Sequence, residues 1–355
     1  MIDLDDPQAL RLADPQGMLD AVRGLPGDCR AAYDSARLAE GLPSPDGVST
    51  VTFCGMGGSA VSGDVVRSVF LERLGFPIEV SRSPVLPEHC GPRTVVVCSS
   101  YSGNTAETLA AFREALHRGC RVLVVTSGGT IADEAAEAGV ATVRVPGGYQ
   151  PRAALGHLAF ASLGALETVG LLPPLGVDVA EAVAEVSEVL GELGPDVPAA
   201  DNAAKSLAAR IGERSPVIWG ADGIAAVAAA RWKTQMNENG KVPAFWSSMS
   251  ELDHNEVVGW TAPFGERFFV VALRHDGEDR QLPPRFPLSF DIARSAGAEV
   301  EEVHARGTSS LARLMSLIIV GDLTSVYLAI AHGVDPTPVP VIERLKAALA
   351  GSMTA

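Results

Sequence analysis

From Ser49 onward, short unbroken runs of β-branched and apolar residues alternate with alanine-rich windows of helical period, and this alternation constrains the fold more than any other feature. The runs are Val51–Cys54, Thr94–Cys98, Arg121–Val125 and Ala141–Val145. Strands apolar on both faces and separated by helices predict a parallel sheet covered on both sides. The pattern restarts with Pro216–Trp219, Phe268–Leu273 and Glu299–Val303, so the chain reads as two similar α/β units. At 355 residues, each has the length to bury its own core. Turn chemistry at Gly41–Gly47 ends a helical N-terminal segment, and Leu172–Asp201 reads as a helical connection. The expected division is 1–45 for the N-terminal segment, 46–205 for the first unit with the connection, and 206–355 for the second. Leu314–Val334 is long and apolar, but Gly321, Asp322 and His332 interrupt it, so a buried helix is expected instead of a membrane span.

In a parallel sheet the ligand crevice lies at the C-terminal ends of the strands. Two turns there are unusual. Gly55-Met56-Gly57-Gly58-Ser59 follows the first strand and opens a helix, which places backbone N–H groups at a helix N-terminus, an anion-binding arrangement. Taken alone, such a turn serves phosphate binding or a tight strand–helix connection equally well. Ser100-Tyr101-Ser102-Gly103-Asn104-Thr105 follows another strand and adds three hydroxyls, more than N-capping needs. The second unit has Gly220-Ala221-Asp222-Gly223 in place of the first turn and no counterpart of the second, so one phosphate site per chain is expected. No GxxxxGK[ST] and no GxGxxG occurs, which disfavours ATP and dinucleotides.

Charge narrows the ligand further. Acidic residues outnumber basic ones 43 to 28, for a formal charge of −15, a field that opposes nucleic acid and anionic membranes. The five cysteines show neither CxxC nor zinc spacing and read as reduced thiols, with no metal expected. The first residues are acidic where an export signal is basic and then apolar, so a cytoplasmic location is expected.

The densest polar stretch is Arg231–Lys241, followed by Glu251–Val257. The chain has four lysines, and Lys233, Lys241 and Lys346 fall in or near suspect regions. Residue by residue, Asn237–Gly240 could be a polar helix end and His254 a satisfied loop histidine.

Taken in order, Gly55–Ser59, Ser100–Thr105, Pro151-Arg152, Asn237-Glu238-Asn239, Glu251–Glu256 and Asp335-Pro336-Thr337-Pro338 resemble the bifunctional phosphoglucose/phosphomannose isomerase family across nearly the whole chain. The resemblance implies two sugar-isomerase (SIS) domains, each a doubly wound, flavodoxin-like parallel sheet flanked by helices. It also implies a homodimer to which His254 is contributed across the interface. Gly57, Gly58, Ser59, Ser100, Ser102 and Thr105 match the family's phosphate binders, while Arg152, Glu238, His254 and Lys346 match its catalytic set. The implied reaction interconverts glucose or mannose 6-phosphate with fructose 6-phosphate through an enediolate, with no cofactor. Glu238 would be the base, Arg152 the enediolate stabiliser, and His254 and Lys346 the ring-opening groups. Two other readings compete: a non-catalytic phosphosugar sensor, which needs the loops but not Glu238, Arg152 and Lys346, and a transferase or lyase on amino-sugar phosphates.

Overall fold

The computed structural model describes residues 2–352. Three helices, α1 (Pro7–Ala13), α2 (Met18–Arg23) and α3 (Leu25–Ala36), precede the first sheet. That unit then runs β1 (Thr50–Cys54), α4 (Gly57–Phe70), β2 (Ile78–Ser81), β3 (Thr94–Ser99), α5 (Ala106–His117), β4 (Arg121–Thr126), α6 (Thr130–Glu137) and β5 (Ala141–Arg144). A short 3-10 turn, Pro151–Ala154, leads into α7 (Leu155–Thr168), α8 (Gly176–Leu193) and α9 (Ala203–Ile211). The second sheet is built from β6 (Ser215–Gly220), α10 (Ile224–Glu238), β7 (Phe245–Ser248), α11 (Met249–Leu252), α12 (Glu256–Gly259), β8 (Phe268–Arg274), α13 (Arg285–Ser295) and β9 (Glu299–His304), followed by α14 (Ser310–Ala331) and α15 (Pro340–Ser352).

Both sheets are wholly parallel, as the unbroken apolar runs predict. Their orders are β2-β1-β3-β4-β5 and β7-β6-β8-β9, so each reverses direction beside its first strand. That reversal opens a crevice between β1 and β3 in one sheet and between β6 and β8 in the other. The strands β2 and β7 have no counterpart among the apolar runs. They are edge strands, partly exposed along their length.

The long apolar stretch is α14, a 22-residue helix whose most apolar window is 94% buried, so it is an interior helix as expected. Its glycine has a packing reason. A methyl on Gly321 would lie 2.3 Å from the Trp232 indole nitrogen, so only glycine lets α10 and α14 close on this ring. Trp232 is fully buried there, and its Nε1 donates to the Leu317 carbonyl at 2.8 Å. Burying a ring of this size contributes about 2–3 kcal/mol and fixes the register of α10. Helix α10 also packs against α4, which ties the second unit to the first.

Candidate active site

The first glycine turn follows β1, and the hydroxyl turn follows β3, the next strand in the sheet. Both therefore line the crevice at the reversal point. Gly57 holds φ +51, a left-handed conformation that glycine adopts without strain, and no acidic residue or side-chain cap occupies the first turn of α4. Gly58 is glycine for another reason. A methyl there would come within 2.8 Å of the Pro151 carbonyl oxygen and 3.2 Å of the Arg152 Cα.

In the second turn, Thr105 is the N-cap of α5, yet its side chain makes no cap hydrogen bond; the Ser100 hydroxyl donates to it at 3.2 Å. Capping therefore does not consume these hydroxyls. Ser59 Oγ accepts from the Tyr101 N–H at 3.1 Å, and Ser102 Oγ accepts from the Asn104 N–H at 3.3 Å. Neither contact uses the hydroxyl proton, which is what an anionic oxygen would accept. Tyr101 couples the turns: its hydroxyl donates to the Pro146 carbonyl at 3.0 Å and accepts from the Tyr149 N–H at 2.9 Å, just upstream of Arg152.

Arg152 is buried, and every guanidinium nitrogen but one is committed. Nε donates to Asn239 Oδ1 at 2.5 Å, and one terminal nitrogen donates to the Pro336 and Thr337 carbonyls at 2.8 and 2.7 Å. The other terminal nitrogen has no hydrogen-bond partner and lies 3.7 Å from Glu238 Oε2. Burial lowers the Arg152 pKa below the usual guanidinium value, with the Glu238 charge opposing the shift. The backbone of Arg152 is held as well. Arg231 donates from one nitrogen to the Arg152 carbonyl at 3.0 Å while pairing with buried Asp322 at 2.6 Å. Asp322 is thus an acid in an apolar helix with a positioning task.

Glu238 is the last residue of α10, half-buried, in a cleft of about 510 Å³ lined also by Lys241, Pro338 and Ile342. A second cleft, of about 680 Å³, lies between α4 and α10 and is lined by Gly57, Arg67 and Lys233. Lys241 sits three residues past Glu238 with φ +56. Its ammonium donates to the Glu238 carbonyl and, at 2.9 Å, to the Pro336 carbonyl.

The chain thus gathers the two turns, Arg152 and Glu238. His254 and Lys346 are the other two matched positions. Both are exposed, and among the described residues neither makes a hydrogen bond or ion pair with Arg152 or Glu238. Sequence reasoning gave no role to Asn239, to the carbonyls of Pro336 and Thr337, to Tyr101 or to the Arg231–Asp322 pair. Asn239 beside Glu238, Tyr101 in the hydroxyl turn, Arg231 at the start of the densest polar stretch and Asp322 in the long apolar run each carried a local signal, though none of a role. Main-chain acceptors carry none.

A model of the bacterial phospho-glucose isomerase C-terminal SIS domain matches residues 200–349. The chain is 36% identical over 337 residues to a bifunctional phosphoglucose/phosphomannose isomerase of Caldicellulosiruptor bescii, covering 94% of this chain and 99% of that protein. A protein of the same description from Aquifex aeolicus is 37% identical over 299 residues, 83% of this chain and 89% of the relative. Among solved structures, a hypothetical protein from Thermus thermophilus superposes with a TM-score of 0.78 at 16% identity, over 98% of this chain and 94% of that one, a likeness of fold.

Proposed function

The chain belongs to the bifunctional phosphoglucose/phosphomannose isomerase family, and from that premise we propose that it interconverts glucose and mannose 6-phosphates with fructose 6-phosphate at the site around Arg152 and Glu238. The observation that carries this reading is the buried Arg152 nitrogen left without a partner 3.7 Å from the Glu238 carboxylate. A fixed cation beside a base is what proton transfer between C1 and C2 needs. Glu238 takes the proton, the enediolate oxygen gains negative charge, and the free guanidinium N–H meets that charge. The phosphate would lie on Gly57, Gly58, Ser59, Ser100, Ser102 and Thr105, which offer helix N–H groups and, at Ser59, Ser102 and Thr105, hydroxyl protons not used by the hydrogen bonds described above. The division of the chain at about residue 206 is kept as part of this reading; it falls within α9 (Ala203–Ile211).

Ring opening falls to His254 and Lys346, with His254 acting in the site of a second copy of the chain. Support for a dimer comes from β7, which leaves an unpaired sheet edge and exposes Phe245 and Trp246 at 53% and 42%. These residues line an apolar cleft with Trp260 and Phe264, on the chain segments flanking His254. In a two-fold assembly a segment crossing in one direction crosses in the other. A sugar phosphate is the small-molecule partner, the cytoplasm the expected compartment, and no resident cofactor is invoked.

Coupled assays of the purified protein on fructose, glucose and mannose 6-phosphates test the reaction. Absence of turnover on all three, with phosphosugar still bound, would leave a sensor. Mixing Glu238→Gln with His254→Ala tests the shared site: half the dimers are mixed at random assembly, one site in each is intact, and roughly a quarter of parental activity returns. No recovery in mixed dimers verified by native mass spectrometry assigns His254 to its own subunit.

A further inference from the structure

Among the described residues, Lys241 is the one non-glycine with a left-handed backbone, φ +56. A lysine is strained in that conformation, and glycine or asparagine would make the same turn with less strain. The side chain therefore has to explain the choice. Its ammonium bridges two carbonyls, those of Glu238 and Pro336. The Pro336 carbonyl also accepts from Arg152, whose Nε binds Asn239, the residue after Glu238. The contacts close a ring: Glu238 carbonyl, Lys241, Pro336 carbonyl, Arg152, Asn239 and back to Glu238. Without Lys241, among the described residues, the hydrogen bonds between the end of α10 and the Pro336–Thr337 segment run only through Arg152 itself.

Resting on the isomerase reading, we propose that Lys241 is a positioning residue of this site: its ammonium locks the C-terminal carbonyl of α10 to the Pro336 carbonyl, and so holds the Glu238 carboxylate at a fixed separation from the free nitrogen of Arg152. A cation at the C-terminal end of a helix also meets the negative end of its dipole, which favours the arrangement. The groups facing the ammonium are Arg152 from the 3-10 turn, Glu238 from α10 and Asp335 from the segment before α15. Although Lys241 as a whole is exposed, desolvation of its ammonium, followed by repulsion from Arg152, lowers its pKa to about 8. The clamp thus weakens as pH rises through that value, because a neutral amine makes poorer hydrogen bonds than an ammonium.

The test compares Lys241→Gly, Lys241→Arg and Lys241→Met with the parent enzyme in saturation kinetics, thermal unfolding and pH profiles. Lys241→Gly removes the clamp and the backbone strain together. Its kcat is expected to fall about 10- to 100-fold with KM within about threefold, the signature of a displaced base, while its thermal midpoint stays level or rises. Lys241→Arg should recover most of kcat, and the alkaline decline of the parent near pH 8 should move upward. If Lys241→Gly fails to fold, Lys241→Met, which keeps the stem and the turn, carries the same kcat expectation. Parental kcat in the folded Gly or Met variant, or an alkaline limb unchanged by Lys241→Arg, overturns the assignment. A parent enzyme inactive on all three sugar phosphates overturns the isomerase reading and this inference with it, whereas an active parent with an unimpaired Lys241→Gly variant overturns the inference alone.

Discussion

Replacing Arg152 by lysine keeps the charge and removes the fork, so it separates what a cation does here from what a guanidinium does. Arg152 satisfies three buried acceptors, Asn239 Oδ1 and the carbonyls of Pro336 and Thr337, and still presents a free nitrogen near Glu238. A lysine has three donors on one atom and cannot reach three diverging acceptors and the substrate at once. One buried acceptor left unsatisfied costs about 1–3 kcal/mol, which at roughly 2 °C per kcal/mol lowers the thermal midpoint by about 2–6 °C. That is a small part of a typical stability of about 5–15 kcal/mol, so the variant is folded at 25 °C. Losing the donor aimed at the developing oxyanion costs about 2.7–4 kcal/mol in the transition state, or 10²- to 10³-fold in kcat. The assay is saturation kinetics on fructose 6-phosphate at 25 °C, alongside the thermal midpoint. The two magnitudes cannot be confused: unfolding removes a negligible fraction of sites, whereas chemistry loses about 99% or more. An Arg152→Lys variant with kcat within about threefold of the parent would refute the role of the free nitrogen.

Glu238→Gln should abolish turnover while leaving phosphosugar affinity within a few fold, because it keeps the shape and removes the base; parental turnover assigns the base elsewhere. Ser100→Ala combined with Thr105→Ala should raise the inhibition constant of inorganic phosphate severalfold with a thermal midpoint shift of a few degrees at most, since the Thr105 hydroxyl caps no helix. Equilibrium titration of the Glu238→Gln variant with fructose 6-phosphate should saturate at one molecule per chain; two would place a second phosphate site in the other sheet. Burial lowers the pKa of His157 from its ordinary 6.5, so the unfolded chain binds that proton more tightly than the folded one. The stability it contributes is present above pH 6.5 and is lost as pH falls through the folded value. His157→Gln should flatten the decline of the urea midpoint between pH 7 and 5, and an unchanged slope rules this source out.

The elements legible in the sequence are those whose burial is uniform. β1 and β3 are buried at every residue, and all but Ser99 at the end of β3 are apolar or β-branched, so the runs at Val51 and Thr94 announce themselves. β2 and β7, at the sheet edges, are only partly covered, and Ile78–Ser81 and Phe245–Ser248 mix polar and apolar residues without a clean period. In the proposed site, the glycine and hydroxyl turns are legible because the phosphate crevice proposed there would demand particular backbone freedom and particular side chains. The clamp on Arg152 is not. Two of its three acceptors are main-chain carbonyls more than 180 residues away, and any residue supplies a carbonyl. The positions of His254 and Lys346 relative to Arg152 followed from resemblance alone, and among the described residues no hydrogen bond or ion pair within one chain ties them to it.

The two sheets share a layout but not a task, and one residue shows why. After β1, the turn into α4 offers free N–H groups with no acid in the first turn; after β6, the corresponding turn carries Asp222, whose carboxylate accepts from the Ser250 hydroxyl beside the start of α10. A carboxylate one residue before the N-cap of α10 repels a phosphate brought to that helix start. The second unit is therefore free to use its helix differently. Helix α10 is 15 residues long, about 22 Å, and it is the far end that meets Arg152: its C-terminus brings Glu238 Oε2 within 3.7 Å of one guanidinium nitrogen and Asn239 Oδ1 into a hydrogen bond with another. Trp232 under Gly321 sets the register of that delivery, and Arg231 on Asp322 ties the same helix to the Arg152 backbone. In the proposed mechanism, a base supplied at the tip of a buried helix and a cation supplied by the other unit can be held at a defined separation only if the two units are locked together. That requirement accounts for a buried ion pair in an otherwise apolar core, where pairs of this kind contribute little net stability.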